Sequence, residues 1–201
     1  MARITKDNID KFYEYDVDLT TRTVYIGSQM LDNGEESGIN ALVAERTIKA
    51  LHLLEAQAPN GDKPITVILN SPGGDVYHGM AIYGAIKACK NHVTIIVYGM
   101  AMSMAALILQ AADERVIDPM ARVMIHYGAM ELSSSHTKIF GKWAEEVKKL
   151  DKIYFNLLLE KIKLKNPNFK DKQLEDMLNF DTIFNAEETT NIGLADKILG
   201  T

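Results

Sequence analysis

Short apolar runs alternate along the chain with longer segments whose apolar residues recur at helical spacing, and that alternation predicts an α/β fold with a largely parallel core sheet. Thr21 to Gly27 reads as a strand that ends at glycine. After the polar loop Asp32 to Gly38, the residues Ile39, Leu42, Val43, Ile48, Leu51, Leu53 and Leu54 predict a helix over about 39–57 with a broad apolar face. Ile65 to Leu69 reads as a strand buried on both sides. A helix follows at 76–90, then the β-branched strand 93–98, broken at Gly99, and a helix-forming run from Met104 to Ala112. Val116-Ile117 and Arg122 to Ile125 read as two further strands. A long amphipathic helix runs from the Ser133-Ser134-Ser135 tract to about Lys163, with Ile139, Trp143, Val147, Leu150, Ile153, Tyr154, Leu157, Leu158 and Ile162 on one stripe. At 1.5 Å per residue it spans roughly 40 Å, too long for so small a domain to cover, so it projects and meets a partner such as a second copy. Lys165 to Asn168 stops it, and a short helix follows at 171–179. Asn185 and Glu188 have capping-box spacing and open a last helix that Gly193 ends, and Leu194 to Leu199 is a closing edge segment.

Residues 1–16 are polar with scattered aromatics and read as a tail that docks or is mobile. The tail is bounded at 1–20, and one domain takes up 21–201. At 47% hydrophobic and 24% charged the composition is that of an ordinary globular protein. A net charge of −5 argues against nucleic acid as a partner. The single cysteine, Cys89, excludes an internal disulfide, fits a reducing compartment and reads as a packing residue. No apolar leader follows Met1, and no stretch reads as a membrane span, so the expected location is the cytoplasm, or a host cytoplasm if the gene is phage-borne.

Three features fall at the carboxyl ends of predicted strands, the edge where parallel sheets bind ligands. The first is Ser103, which sits where a strand turns into a helix, with Ala101 and Ala105 two residues away on either side. Small-x-Ser-x-small is a relaxed form of the elbow that presents a nucleophilic serine, although serine is also a common helix N-cap. The second is Pro72-Gly73-Gly74, whose paired glycines let a main-chain N–H come close to a ligand atom. It matches neither a Walker loop nor a dinucleotide fingerprint. The third is His126, just past an apolar strand; an edge histidine is otherwise a capped or solvated group. His52, His78, His92 and His136 read as surface residues. A nucleophile, a base and an N–H cradle make a hydrolase constellation that still needs a group to hold the imidazole tautomer. Spacing does not choose among Asp113, Asp118, Asp151, Asp171, Asp176, Asp181 and Asp196.

Four blocks in this order resemble the proteolytic subunit of the Clp protease: Asn70-Ser71-Pro72-Gly73-Gly74, Gly99 to Ala105, Arg122 to His126, and Phe180-Asp181 through Phe184-x-Ala186-Glu187-Glu188 to Gly193-Leu194-Ala195-Asp196. The similarity covers about residues 20–199. It implies the crotonase-like (ClpP-type) fold, a spiral of ββα units, with the long helix as a projecting handle at about 127–163. It implies Ser103 as nucleophile, His126 as general base and Asp181 as imidazole partner, with the N–H groups of Gly74 and Met104 as the oxyanion hole. No cofactor and no metal are implied. The implied assembly is a heptameric ring, stacked face to face as a tetradecamer, that cuts unfolded proteins or peptides fed by a AAA+ unfoldase.

The chain departs from the family pattern at several points. His126 is followed by Tyr127-Gly128 where many relatives have Gln-Pro, and Ala129 to Ser135 replaces a glycine-rich handle strand. Asn179 and Phe180 stand where many relatives carry an Asp-Arg pair that links ring contacts to the site. Thr66 and Ile68 replace aromatics that help dock the unfoldase, and Ala88 replaces a large residue, which points to a non-standard unfoldase. The resemblance is to a divergent branch of the kind also found in phage genomes. Two other readings compete: an acyl-CoA hydratase or isomerase of crotonase fold, which works through a positioned carboxylate, and a catalytically silent ring scaffold.

Overall fold

A computed structural model of the chain describes residues 6–27, 36–128 and 137–201, which form seven helices and eight strands. The chain enters through helix α1 (Lys6–Tyr15) and strand β1 (Val17–Asp18), which pairs antiparallel with β2 (Thr23–Gly27). This first segment docks: Val17 is buried, the Phe12 ring meets Tyr25 edge-on with centroids 4.9 Å apart, and Asp16 pairs with Arg46 at 3.0 Å.

From β2 onward the main sheet is parallel. Strands β3 (Ile65–Ser71), β4 (Val93–Met102), β5 (Glu114–Ile117) and β8 (Lys197–Ile198) follow β2 in that order. Helices α2 (Ala41–Ala56), α3 (Val76–Ala88) and α4 (Met104–Leu109) connect the strands, and they pack on one another in sequence. Val67, Leu69, Ile95 and Val97 are completely buried. Their alternates Thr66, Ile68, Thr94 and Ile96 are only half-buried, while Tyr25 and Tyr98 are exposed. Ile65 to Leu69 is therefore not buried on both sides, because the helices shield one face of the sheet more than the other. Helix α2 differs in the same way: Leu51 and Leu54 enter the core, but Leu42 and Leu53 face out.

Strand β4 also differs from expectation. Gly99 bends it, at φ +68°, without ending it. Before the bend, Thr94 to Val97 pair with β5; after it, Met100 to Met102 pair with β6 (Arg122–Ile125). Asn70 explains why the chain continues. Its Oδ1 accepts the Met100 N–H at 3.2 Å, and a Cβ on residue 99 would lie 2.7 Å from that oxygen. Glycine is thus required both by its φ and by the approach of Asn70.

Strand β6 also pairs antiparallel with β7 (Thr182–Phe184), and the two branch from β4 outside the main strand order. Helix α6 (Asp171–Leu178) leads into β7, and helix α7 (Ala186–Ile192) follows it. The expected capping box forms: Asn185 Oδ1 accepts the Glu188 N–H, and Glu188 Oε2 accepts the Asn185 N–H, each at 2.9 Å. Gly193 closes α7 in the left-handed region. The carboxyl end is tied down by the almost fully buried Arg115. Its guanidinium donates to both Asp196 oxygens, to Gln110 Oε1 at 2.6 Å and to the Gly193 carbonyl at 2.7 Å.

The long helix α5 (Thr137–Lys165) has two halves. Tyr154, Leu158 and Ile162 are buried in the core, whereas Ile139, Phe140 and Trp143 are exposed. Its apolar stripe therefore runs off the end of the domain, as the length argument requires. The segment between His126 and α5 that replaces the handle strand lies, from Ala129 to His136, outside the described residues. Among the described residues no helix is long and apolar enough to cross a membrane.

Candidate active site

Two strand registers bring the site together. In the first, β4 and β6 pair Met102 with Met124, and the Ser103 N–H continues the ladder to the Met124 carbonyl at 2.9 Å. That places His126 beside the end of β4. In the second, β6 and β7 pair Ile125 with Thr182, so one further step along the ladder sets His126 opposite Asp181. Directly opposed residues on antiparallel strands have their Cβ atoms about 5 Å apart, close enough for their side chains to meet.

They do meet. Ser103 Oγ lies 2.9 Å from His126 Nε2, and Asp181 Oδ1 lies 2.9 Å from His126 Nδ1. With the proton on Nδ1 and donated to Asp181, Nε2 is free to accept from the serine hydroxyl. Ser103 precedes α4, yet its side chain makes no capping bond; it turns to the histidine instead. Its backbone is strained, with φ +53° and ψ −121°. The flanking Ala101 and Ala105 are fully buried, as the tight turn requires.

The other aspartates have different work. Asp113 accepts the Val93 N–H, Asp118 accepts the Met120 N–H, and Asp196 binds Arg115. Asp171 pairs with Lys163 and Asp176 with Lys172. Asp151 has no hydrogen-bond or ion-pair partner among the described residues, and desolvation raises its pKa above the usual carboxylate range.

The glycine pair lies against the serine elbow. A Cβ on Gly73 would come within 2.7 Å of both the Ser103 Cβ and the Met102 carbonyl. Ser71 Oγ accepts the Gly73 N–H at 3.2 Å and shapes the turn. Residues 73–75 run beside Ile39, whose N–H donates to the Gly73 carbonyl and whose carbonyl accepts the Asp75 N–H. Both bonds point towards Ile39, so the alternation of an extended chain turns the Gly74 N–H to the opposite side. The Met104 N–H opens α4, where helix geometry leaves the first donors without intrahelical acceptors.

A cavity of about 330 Å³ opens beside Ser103, between the starts of α3 and α4 and the middle of α5. Gly74, Met104 and His126 line it too. Tyr154 on α5 reaches behind the elbow, and its hydroxyl donates to the Ser103 carbonyl at 3.3 Å. Burial pushes its phenol far above the ordinary value, so it stays neutral. The sequence pattern counts Tyr154 only as part of an apolar stripe. The available signal was that a buried tyrosine hydroxyl generally needs a partner. Cys89 is partly buried outside this site, and burial raises its thiol pKa.

The sequence matches the Clp protease family over residues 19–201. It is 32% identical over 198 residues to the ATP-dependent Clp protease proteolytic subunit 2 of Prochlorococcus marinus (strain MIT 9312), covering 93% of this chain and 88% of the relative. It is 32% identical over 183 residues to the ATP-dependent Clp protease proteolytic subunit of Deinococcus radiodurans, covering 90% of this chain and 81% of the relative. With the chloroplastic proteolytic subunit 3 of Arabidopsis thaliana the identity is 29%, covering 90% of this chain and 54% of that longer one. The chain belongs to the Clp protease family. Its fold is the ClpP fold, and it is a serine-type peptidase of that family. Neither the acyl-CoA hydratase or isomerase reading nor the silent scaffold is favoured by these matches.

Proposed function

We propose that the chain is a self-compartmentalising serine endopeptidase in which Ser103, His126 and Asp181 carry the chemistry. The observation that carries this reading is the hydrogen-bonded relay of 2.9 Å and 2.9 Å at the mouth of a cavity. Ser103 Oγ attacks the scissile carbonyl carbon while His126 Nε2 takes the hydroxyl proton. The carbonyl oxygen becomes an oxyanion, received by the Gly74 and Met104 N–H groups. His126 passes its proton to the leaving amine, which departs and leaves an acyl-enzyme on Ser103. Water then repeats the sequence, and hydrolysis regenerates the serine. Asp181 holds the imidazole tautomer and stabilises the imidazolium.

The exposure of Asp181 fits a site that assembly completes. In one chain the Asp181 side chain is 69% exposed, so water screens its attraction for the imidazolium. A neighbouring subunit that covers this edge strengthens it. We place residues 21–201 as one peptidase domain in a heptameric ring, stacked as a tetradecamer through the exposed half of α5. The substrates are unfolded proteins or peptides, in the cytoplasm or a host cytoplasm. The ring either pairs with a cognate, non-standard AAA+ unfoldase or acts alone on unfolded or assembly-confined substrates, since Thr66, Ile68 and Ala88 offer no aromatic anchor.

The test is reaction with a fluorophosphonate followed by peptide mapping, alongside turnover of a fluorogenic peptide. Label on Ser103, with hydrolysis abolished in a folded Ser103→Ala variant, is the expected result. Near wild-type turnover by that variant refutes the mechanism, and a monomeric mass at micromolar concentration refutes the ring.

A further inference from the structure

One wall of the cavity beside Ser103 sets a carboxylate among apolar side chains. Helix α5 contributes Val147, Leu150, Asp151 and Tyr154, spaced three, one and three residues apart, which is one stripe of a helix. Val76 and Met104 face them from α3 and α4. An apolar lining of this kind suits an aliphatic side chain, and a carboxylate in the same stripe works against one. Seating a leucine there takes water from Asp151 and returns no partner. A long cationic side chain fits better, because its methylenes lie along the apolar wall while its charged head reaches the carboxylate.

The charges around Asp151 leave that role open. Asp151 stands between this cavity and an adjoining one, which it lines together with Lys148, Lys152, Phe155 and Glu175, yet neither of those lysines pairs with it. Lys172 in that cavity is held by Glu175 and Asp176. At the near rim, Asp75 is committed to capping α3, accepting the Tyr77 and His78 N–H groups at 2.8 and 2.9 Å. It adds negative charge to the cavity and no cation. Desolvation is the one cause that raises the Asp151 carboxyl pKa, in keeping with a carboxylate that has no direct cationic partner among the described residues.

We infer that this cavity takes the side chain of a lysine or arginine on the acyl side of the scissile bond, and that Asp151 is the residue that selects it. The inference rests on Ser103 being the nucleophile, and the experiment separates the two claims. Peptidyl phosphonates that carry a lysine, arginine, leucine or glutamate side chain next to phosphorus are reacted with the assembled protein. The rate of Ser103 labelling is read by mass spectrometry, with a small fluorophosphonate as reference. Lysine and arginine probes should label at least about tenfold faster than the leucine probe. Asp151→Asn should bring that ratio close to one, and Asp151→Lys should shift preference to the glutamate probe. A lysine-to-leucine ratio of one or less in the wild-type protein overturns the inference while leaving Ser103 as nucleophile. So does a ratio unchanged by Asp151→Asn, or labelling by the fluorophosphonate alone. Failure of every probe to label Ser103, the fluorophosphonate included, removes the peptidase mechanism and this inference with it.

Discussion

Replacing Ser103 by alanine and, separately, by glycine isolates the strain held at the elbow. Both changes remove the proposed attacking oxygen, so neither variant should be active and only stability should distinguish them. At φ +53° and ψ −121° the Cβ is what makes the conformation unfavourable, and such positions cost about 1–3 kcal/mol. Alanine keeps that cost and glycine removes it. Glycine adds an unfolded-state entropy penalty of about 0.5–1 kcal/mol. It also gives up part of the Cβ contact with the Gly73 turn, which is worth less than the roughly 0.8 kcal/mol of a buried methylene because Ser103 is only half-buried. At the middle of these ranges the balance favours the glycine variant by about 0.5–1 kcal/mol. For a chain of this length that is a melting temperature higher by roughly 1–4 °C. The assay is thermal and urea unfolding of both variants at one protomer concentration, because assembly shifts apparent stability. Ala105→Gly is the control. Ala105 is fully buried within α4, where glycine should destabilise by about 1 kcal/mol. A Ser103→Gly variant less stable than Ser103→Ala refutes the claim that strain resides at this residue.

Tyr154→Phe removes the hydroxyl that donates to the Ser103 carbonyl, and should cost about 0.5–1.5 kcal/mol in urea unfolding. Turnover should fall less than tenfold, since the Ser103 N–H to Met124 bond still holds the elbow. Asp196→Asn leaves the buried Arg115 poorly matched and should destabilise by about 1–3 kcal/mol at neutral pH. Burial alone would raise the Asp196 pKa, but the hydrogen bonds from Arg115 outweigh it and keep the folded value below the ordinary one. The carboxylate's stabilisation is therefore full above the unfolded value near about 4 and is lost as pH falls through the folded value. Measured against pH, the gap between wild type and Asp196→Asn should narrow below about pH 4, and a gap that widens there contradicts the sign. Trp143→Glu should split stacked rings while circular dichroism stays native, because Trp143 lies on the exposed half of α5; an unfolded product means that the stripe is core.

Local order was legible in the residues because its causes are local. The Asn185–Glu188 box, the Gly193 stop and the turn from strand to helix at Ser103 each depend on neighbours within a few positions. The periodicity of 139–162 announced a helix too long for its domain, and the spacing alone carried that conclusion. Resemblance narrowed the aspartates to Asp181, which spacing could not do, since His126 and Asp181 are 55 residues apart in sequence and meet only through the register of the strands beside them. Three other features were decided only by packing. Gly99 reads as a break, but Asn70 from the neighbouring strand binds Met100 and keeps the chain extended. The run Ile65 to Leu69 reads as buried on both sides, but the helices gather on one face and leave Thr66 and Ile68 half-covered. Asp151 reads only as one of seven aspartates that spacing leaves open as partners of the imidazole. Its place in the cavity wall beside Ser103 depends on the rotation at which α5 meets the core, and that is set by Tyr154, Leu158 and Ile162 as they find their burial.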